Sequence, residues 1–155
     1  MSEMKSRKVI ILLSVYALFF SLLIPGIFNF AFAQSQRASD EQLIARAING
    51  EARGESYEGQ VAVGAVILNR VESPDFPNTV AGVIYQPGAF TAVSDGQINV
   101  PIDPNSTVVK AARDALNGWD PTGGSLFYWN PATATSKWIW SRQIIKAIGK
   151  HNFGK

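Results

Sequence analysis

Cysteine is absent from the 155 residues, and histidine occurs once, at His151. Without cysteine there is no disulfide, no thiol nucleophile and no Cys-ligated zinc, and one histidine cannot supply the ligand set of a zinc amidase or metallopeptidase. No G-x-S-x-G elbow, P-loop or dinucleotide fingerprint occurs, and a Ser-His-Asp triad would have to recruit that single histidine near the end of the chain. No long Ser/Gly/Pro linker, repeat or low-complexity tract divides the chain either. After Asp120 there is no acid at all, although Lys137, Arg142, Lys146, Lys150 and Lys155 follow. What survives these exclusions is carboxylate chemistry, and no metal or organic cofactor is implied.

The first 33 residues read as a leader. Lys5, Arg7 and Lys8 form a basic head, an uncharged run extends from Val9 to Ala33, and Ala31-Phe32-Ala33 supplies a small-x-small cleavage pattern. The expectation is a signal peptide over 1–33, cleaved before Gln34. The alternative is an uncleaved N-terminal anchor that tethers the chain to a membrane, since about 20 apolar residues span a bilayer. Either way the working part, 34–155, lies outside the cytoplasm, secreted or associated with the wall. Its 122 residues suit one domain.

The pI near 9.0 points at first to a polyanion partner. Removing the three leader bases and Glu3 from fourteen Lys plus Arg and twelve Asp plus Glu leaves eleven of each, so the domain is neutral. A nucleic-acid partner loses its support. The acid-free tail either attracts an anionic wall polymer or is a solvated face.

Ser39 followed by Gln42 forms a capping box and predicts a helix from about Asp40 to Arg53. Val61, Ala65, Leu68 and Val71 predict a second over Glu58–Val71, apolar enough to be central. A short helix is expected over Thr79–Tyr85, and a third substantial one after Pro104-Asn105-Ser106, closed by Asn117-Gly118. Asp95-Gly96 sits between β-compatible arms and predicts a hairpin. The runs "LFYWNP" and "KWIWS" look strand-like or extended, and "QIIKAIGKHNF" fits helix or strand. The fold class is α+β, helix-dominated, with a small β-hairpin between helices.

Within this frame one acid is badly placed for stability. In "AINGEARGES", Gly54 reads as a C′ glycine, which puts Glu51 in the last helical turn, where the dipole favours cations. A carboxylic acid used as a proton donor needs surroundings that penalise its anion. The helix end, the apolar neighbours Ala47 and Ile48, and Glu55, if the helix continues, would all do so. Glu51 is therefore a candidate catalytic acid, although pairing with Arg46 or Arg53 at the surface would explain it equally.

The stretches "IARAINGEARGESYEGQVAVGAVILNRV", "GVIYQPGAFTAVSDGQIN" and "FYWNPATATSKWIWSRQIIKAIGKHNF" together resemble the catalytic domain of the SleB/CwlJ cell wall hydrolase family, the spore-cortex-lytic enzymes. The resemblance runs from about Ala38 to Phe153. It implies a lysozyme-like, lytic-transglycosylase-type single domain acting on peptidoglycan glycan strands, with the family's catalytic glutamate at Glu51. No segment between the leader and Ala38 resembles a peptidoglycan-binding repeat, so the expected layout is a free-standing catalytic domain.

Glu55, four residues from Glu51, would share its face on a continuous helix and could not reach the opposite face of a sugar. It is read as a modifier of Glu51, an ion-pair partner or a substrate contact. Asp95 is the other acid within reach, and its Asp-Gly context is explained by a turn. A mechanism that needs one acid therefore fits best. In the transglycosylase route Glu51 is acid and then base, and the muramic acid 6-hydroxyl closes a 1,6-anhydro ring. A water-using muramidase and a non-catalytic wall-binding module remain the alternatives. Phe90, Tyr128, Trp129, Trp138 and Trp140 are either a sugar platform or core, while Thr91, Tyr128 and Asn130 offer hydrogen bonds to acetamido sugars. Tyr128-x-Asn130 is also similar to the tyrosine segment near the acid in related transglycosylases. The expected partners are glycan strands, with a regulatory protein left unidentified.

Overall fold

A computed structural model describes residues 29–155. Residues 1–28, most of the segment expected to be a leader, lie outside the described residues. Helix α1 covers 29–52, and its part from Ser39 onward belongs to the compact unit Ser39–Lys155. The Ser39–Gln42 pair does not open this helix, because helical backbone already runs through it. No helix among the described residues is long and apolar enough to cross a membrane.

Helix α2, Tyr57–Glu72, begins at Ser56, whose Oγ accepts the Gly59 N–H at 3.2 Å. Every residue from Gly59 to Ile67 is buried, so the helix is central, as its composition predicts. At Gly64 three helices converge: a Cβ there would lie 3.1 Å from the Ala115 Cβ and 3.3 and 3.5 Å from the side chains of Ile48 and Ile44. The glycine costs helix stability and permits this approach. Ile44, Ile48, Val61 and Ile67 join Val108, Val109 and Ala112 of helix α5, Thr107–Leu116, in the main core. Short helices α3, Val80–Ile84, and α4, Thr91–Ser94, add Val83, Ile84 and a buried Ala92. The short helix expected over Thr79–Tyr85 forms as α3, capped by the Thr79 hydroxyl, which accepts the Gly82 N–H. Ser106 stands at the N-cap of α5 but makes no side-chain capping hydrogen bond.

The remaining face of α2 carries the sheet. Among the described residues three antiparallel strands run in the order β1 (Phe127–Trp129), β3 (His151–Gly154), β2 (Ile144–Ile148). Ala62 and Val66 of α2 pack under Ile148 and Phe153, with Tyr128 at the edge. The hairpin of this fold therefore forms within "QIIKAIGKHNF": Ile148 faces His151 across Gly149-Lys150, and Gly149 has φ +59°. Glycine suits the first position of a two-residue hairpin turn.

The predicted hairpin at Asp95-Gly96 is not formed. Asp95 and Gly96 do turn the chain, with Asp95 Oδ1 accepting the Gln97 N–H at 3.0 Å and Gly96 at φ +81°. The turn joins α4 to a 3-10 turn, Gln97–Asn99, instead of two strands. Burial of Ala92 and Ile98 in the core overrides the local β-preference. "KWIWS" likewise curls into a 3-10 turn, Ile139–Ser141, so Trp138 and Trp140 do not share a strand face.

Asp120 organises the loop from α5 to β1. It accepts the Thr122 N–H and hydroxyl, the Gly124 N–H and the Asn69 amide, at 2.6–3.1 Å. Burial alone would raise its pKa, but the Thr122, Asn69 and Gly124 hydrogen bonds outweigh it and hold the carboxyl below its ordinary range. A carboxyl lowered by folding contributes stability that is present above its unfolded pKa and lost as pH falls through the folded one. Asp120→Asn should therefore lower the melting temperature at pH 7 by several degrees, for a loss of about 1–3 kcal/mol. The gap from wild type should narrow below about pH 4. Thermal melts across pH 2–7 check this, and a gap independent of pH would contradict it.

Candidate active site

Glu51 stands in the last turn of α1, as its sequence context predicts, and is half-buried. Gly54 has no positive φ, so the helix does not end in a left-handed glycine cap. The chain turns instead: the Glu55 N–H donates to Ala52 O at 3.0 Å, and the Gln60 amide donates to the Arg53 and Glu55 carbonyls at 3.5 and 3.4 Å. A buried glutamine thus occupies carbonyls of the link between α1 and α2.

Two donors converge on Glu51 from distant segments. Oε1 accepts the backbone N–H of Ala92 at 2.8 Å, and Oε2 accepts the Tyr128 hydroxyl at 3.1 Å. The first donor is set by packing of α4 on α1 at Gly50, where a Cβ would overlap the Ala92 methyl. The second comes from β1, held on α2 by Phe153 and by a ring contact of 6.1 Å between Tyr128 and Phe153. Burial pushes the Tyr128 phenol well above its ordinary range, the Glu51 charge and hydrogen bond add to this, and Arg70 opposes it. The phenol therefore stays protonated. A neutral hydroxyl can donate to a carboxylate or, by rotating, accept from a carboxylic acid, so Tyr128 can serve both protonation states of Glu51.

Glu55 does not extend the helix toward Glu51. Its Oε2 accepts the Lys150 N–H at 3.2 Å and its Oε1 lies 3.8 Å from His151 Nδ1, so it holds the turn between β2 and β3. A Cβ at Gly149 would overlap that carboxylate, which gives the turn glycine a second reason. The His151 ring in turn meets Tyr128 edge-on at 5.7 Å. Through the hairpin turn and His151, Glu55 is connected to Tyr128.

The other expected contacts divide. Thr91 is exposed at the start of α4, next to the Ala92 donor. Asn130 caps its own loop through Oδ1 to the Ala132 N–H at 2.9 Å and lines an open hollow of about 300 Å³ with His151 and Asn152. Phe90 and Trp129 are buried at 3% and 5% exposure, so neither ring offers a free face to a sugar. Trp138 and Trp140 are half-exposed, and Trp138 stacks under Arg142 at 4.6 Å.

Sequence reading missed Gly50, the Ala92 N–H and Arg70. The first two are backbone features of a helix contact. Arg70 is assembled from rings at positions 76, 90 and 127, which share no spacing. One signal was present: a glycine inside a helical segment asks what approaches it.

The sequence model of the Cell Wall Hydrolase family matches residues 54–154, beginning three residues after Glu51. The spore cortex-lytic enzyme of Bacillus cereus is 66% identical over 117 residues, which cover 76% of this chain and 44% of that protein. That of Bacillus subtilis is 63% identical over 115 residues, covering 74% and 37%. The chain thus spans less than half the length of these relatives. Cell wall hydrolase CwlJ of Bacillus subtilis is 36% identical over 123 residues, covering 75% of this chain and 84% of that protein. Among solved structures, the catalytic domain of the Bacillus cereus SleB protein superposes with a TM-score of 0.70 at 66% identity, over 75% of this chain and 89% of that one. The catalytic domain of the germination-specific lytic transglycosylase SleB from Bacillus anthracis gives 0.70 at 66% identity, over 75% and 93%. On a family match that takes in most of the compact unit, the chain belongs to the cell wall hydrolase family.

Proposed function

We propose that this chain cleaves peptidoglycan glycan strands as a lytic transglycosylase, at the β-1,4 bond between N-acetylmuramic acid and N-acetylglucosamine. The observation that carries the reading is Glu51, held by two donors from separate segments while the neighbouring acids are engaged elsewhere. Glu55 is taken up by the hairpin turn and Asp95 by its own turn. A single positioned carboxyl suits a reaction in which one group is acid and then base. Glu51 gives its proton to the glycosidic oxygen, which leaves with the electron pair of the C1–O bond. The muramic acid 6-hydroxyl oxygen attacks the oxocarbenium-like C1, its proton passes to the Glu51 carboxylate, and the acid is restored with no net water consumed. Tyr128 and the Ala92 N–H fix the carboxyl through both halves. The name of the Bacillus anthracis relative agrees with this chemistry.

The site of action in this reading is the wall or spore cortex, outside the cytoplasm, with residues 1–33 as the export signal or tether. Mass spectrometry of a peptidoglycan digest tests the mechanism. Products should be one water lighter than hydrolytic muropeptides and resist borohydride reduction. Reducible ends would mean that water is the nucleophile and would identify a muramidase.

A further inference from the structure

Helix α2 carries a cation to a place where no carboxylate among the described residues pairs with it. Arg70 is 7% exposed, and its Nε donates to Leu126 O at 2.7 Å. Its guanidinium carbon lies 5.2, 5.5 and 5.7 Å from the ring centres of Phe76, Phe90 and Phe127. No carboxylate among the described residues forms an ion pair with it. Burial lowers the guanidinium's pKa, but arginine remains charged. A buried cation is costly unless it is paired, and ring faces compensate only in part. Three rings around a guanidinium also restrict how its plane can turn.

Beside it lies an open hollow of about 260 Å³, lined by Arg70, Phe76, Gln86, Phe127, Tyr128 and Trp138 among others. Tyr128 is the residue whose hydroxyl meets Glu51. The hollow therefore shares Tyr128 with the proposed catalytic carboxyl and holds a guanidinium, its plane restricted by three rings, next to apolar walls. That combination matches a carboxylate on an otherwise apolar or sugar-like group, which a guanidinium binds through two parallel hydrogen bonds.

We propose that this hollow is a subsite for a carboxylate of the muramoyl unit, either its lactyl carboxylate or that of the attached peptide, with Arg70 as the anion's partner. The inference rests on the glycan-cleaving reading of Glu51. Binding is used to test it, because binding does not depend on turnover. The probes are a tetrasaccharide of alternating N-acetylglucosamine and N-acetylmuramic acid with free lactyl carboxylates, its methyl ester, and the same pair carrying a dipeptide on each lactyl group. Calorimetry with the full chain carrying Glu51→Gln, which cannot cleave the probes, should find at least one free acid bound about tenfold or more tighter than its ester. The pair that shows the preference identifies the source. Arg70→Met should reduce that ratio to near one, and Arg70→Lys, which keeps the charge without the planar fork, should leave an intermediate ratio. Equal binding of acid and ester in both pairs overturns the proposal. So does an equal loss of affinity for acid and ester in both variants, which is the result of a purely structural arginine. A failure here with anhydro products still formed would leave the Glu51 mechanism standing.

Discussion

Glu51→Gln is expected to slow the clearing of purified peptidoglycan by roughly 10²–10⁴-fold while the melting temperature stays within about a degree of wild type. The substitution keeps the shape of the side chain. Its carbonyl oxygen can still accept the Ala92 N–H, now 2.8 Å from Oε1, and its amide can donate to the Tyr128 hydroxyl, which lies 3.1 Å from Oε2 and accepts as readily as it donates. Helix α1, α4 and β1 therefore keep their contacts. What disappears is the exchangeable proton, and with it about 3–5 kcal/mol of barrier lowering. Turbidity loss and muropeptide release measure the rate, and co-sedimentation with insoluble wall measures binding. Retained sedimentation with lost release marks a catalytic acid. Release at the wild-type rate would remove Glu51 from that role, and the loss of both would point to a fold that needs the charge.

The position of Glu51 was legible from sequence because its signal is local: a carboxylate in a final helical turn beside apolar residues. The same holds for α2, whose uniformly apolar run marks a central helix, and for α5 with its Asn117-Gly118 stop. What failed was local too. Asp95-Gly96 has hairpin chemistry, yet Ala92 and Ile98 gain more from burial against the helices than from strand pairing. "GK" at 149–150 carries a weaker turn signal and makes the actual hairpin, since Ile148 and Phe153 can cover α2 and Glu55 can cap the turn. Phe90 and Trp129 show the limit of reading aromatics as platforms, because a large ring is equally good at filling a core. Thr91 was found for its hydroxyl, whereas the donor that reaches Glu51 is the next residue's backbone N–H.

The geometry behind that backbone donor makes Gly50→Ala the second large effect. Gly50 is in the last turn of α1, where alanine still suits helical backbone better than glycine, by up to about 0.5–1 kcal/mol, so on propensity alone the substitution should stabilise. Packing reverses the sign. A Cβ at 50 would overlap the Ala92 Cβ and lie 3.3 Å from the Gln97 Cβ. Both neighbours sit on short elements, and Ala92 is 1% exposed, so α4 must move off α1 instead of a flexible side chain giving way. Overpacking of this kind costs about 1–3 kcal/mol, a drop of several degrees in melting temperature. The same displacement carries the Ala92 N–H away from Oε1, and a misplacement of about 1 Å at a reacting group can cost on the order of 10²-fold. Gly50→Ala should therefore lower peptidoglycan release far more than its stability loss explains at a temperature where the variant remains folded. Gly54→Ala is the control, since a Cβ at 54 meets nothing within 4 Å and its φ is not positive. If Gly50→Ala melts lower but clears wall at the wild-type rate, the Ala92 hydrogen bond has no part in positioning Glu51.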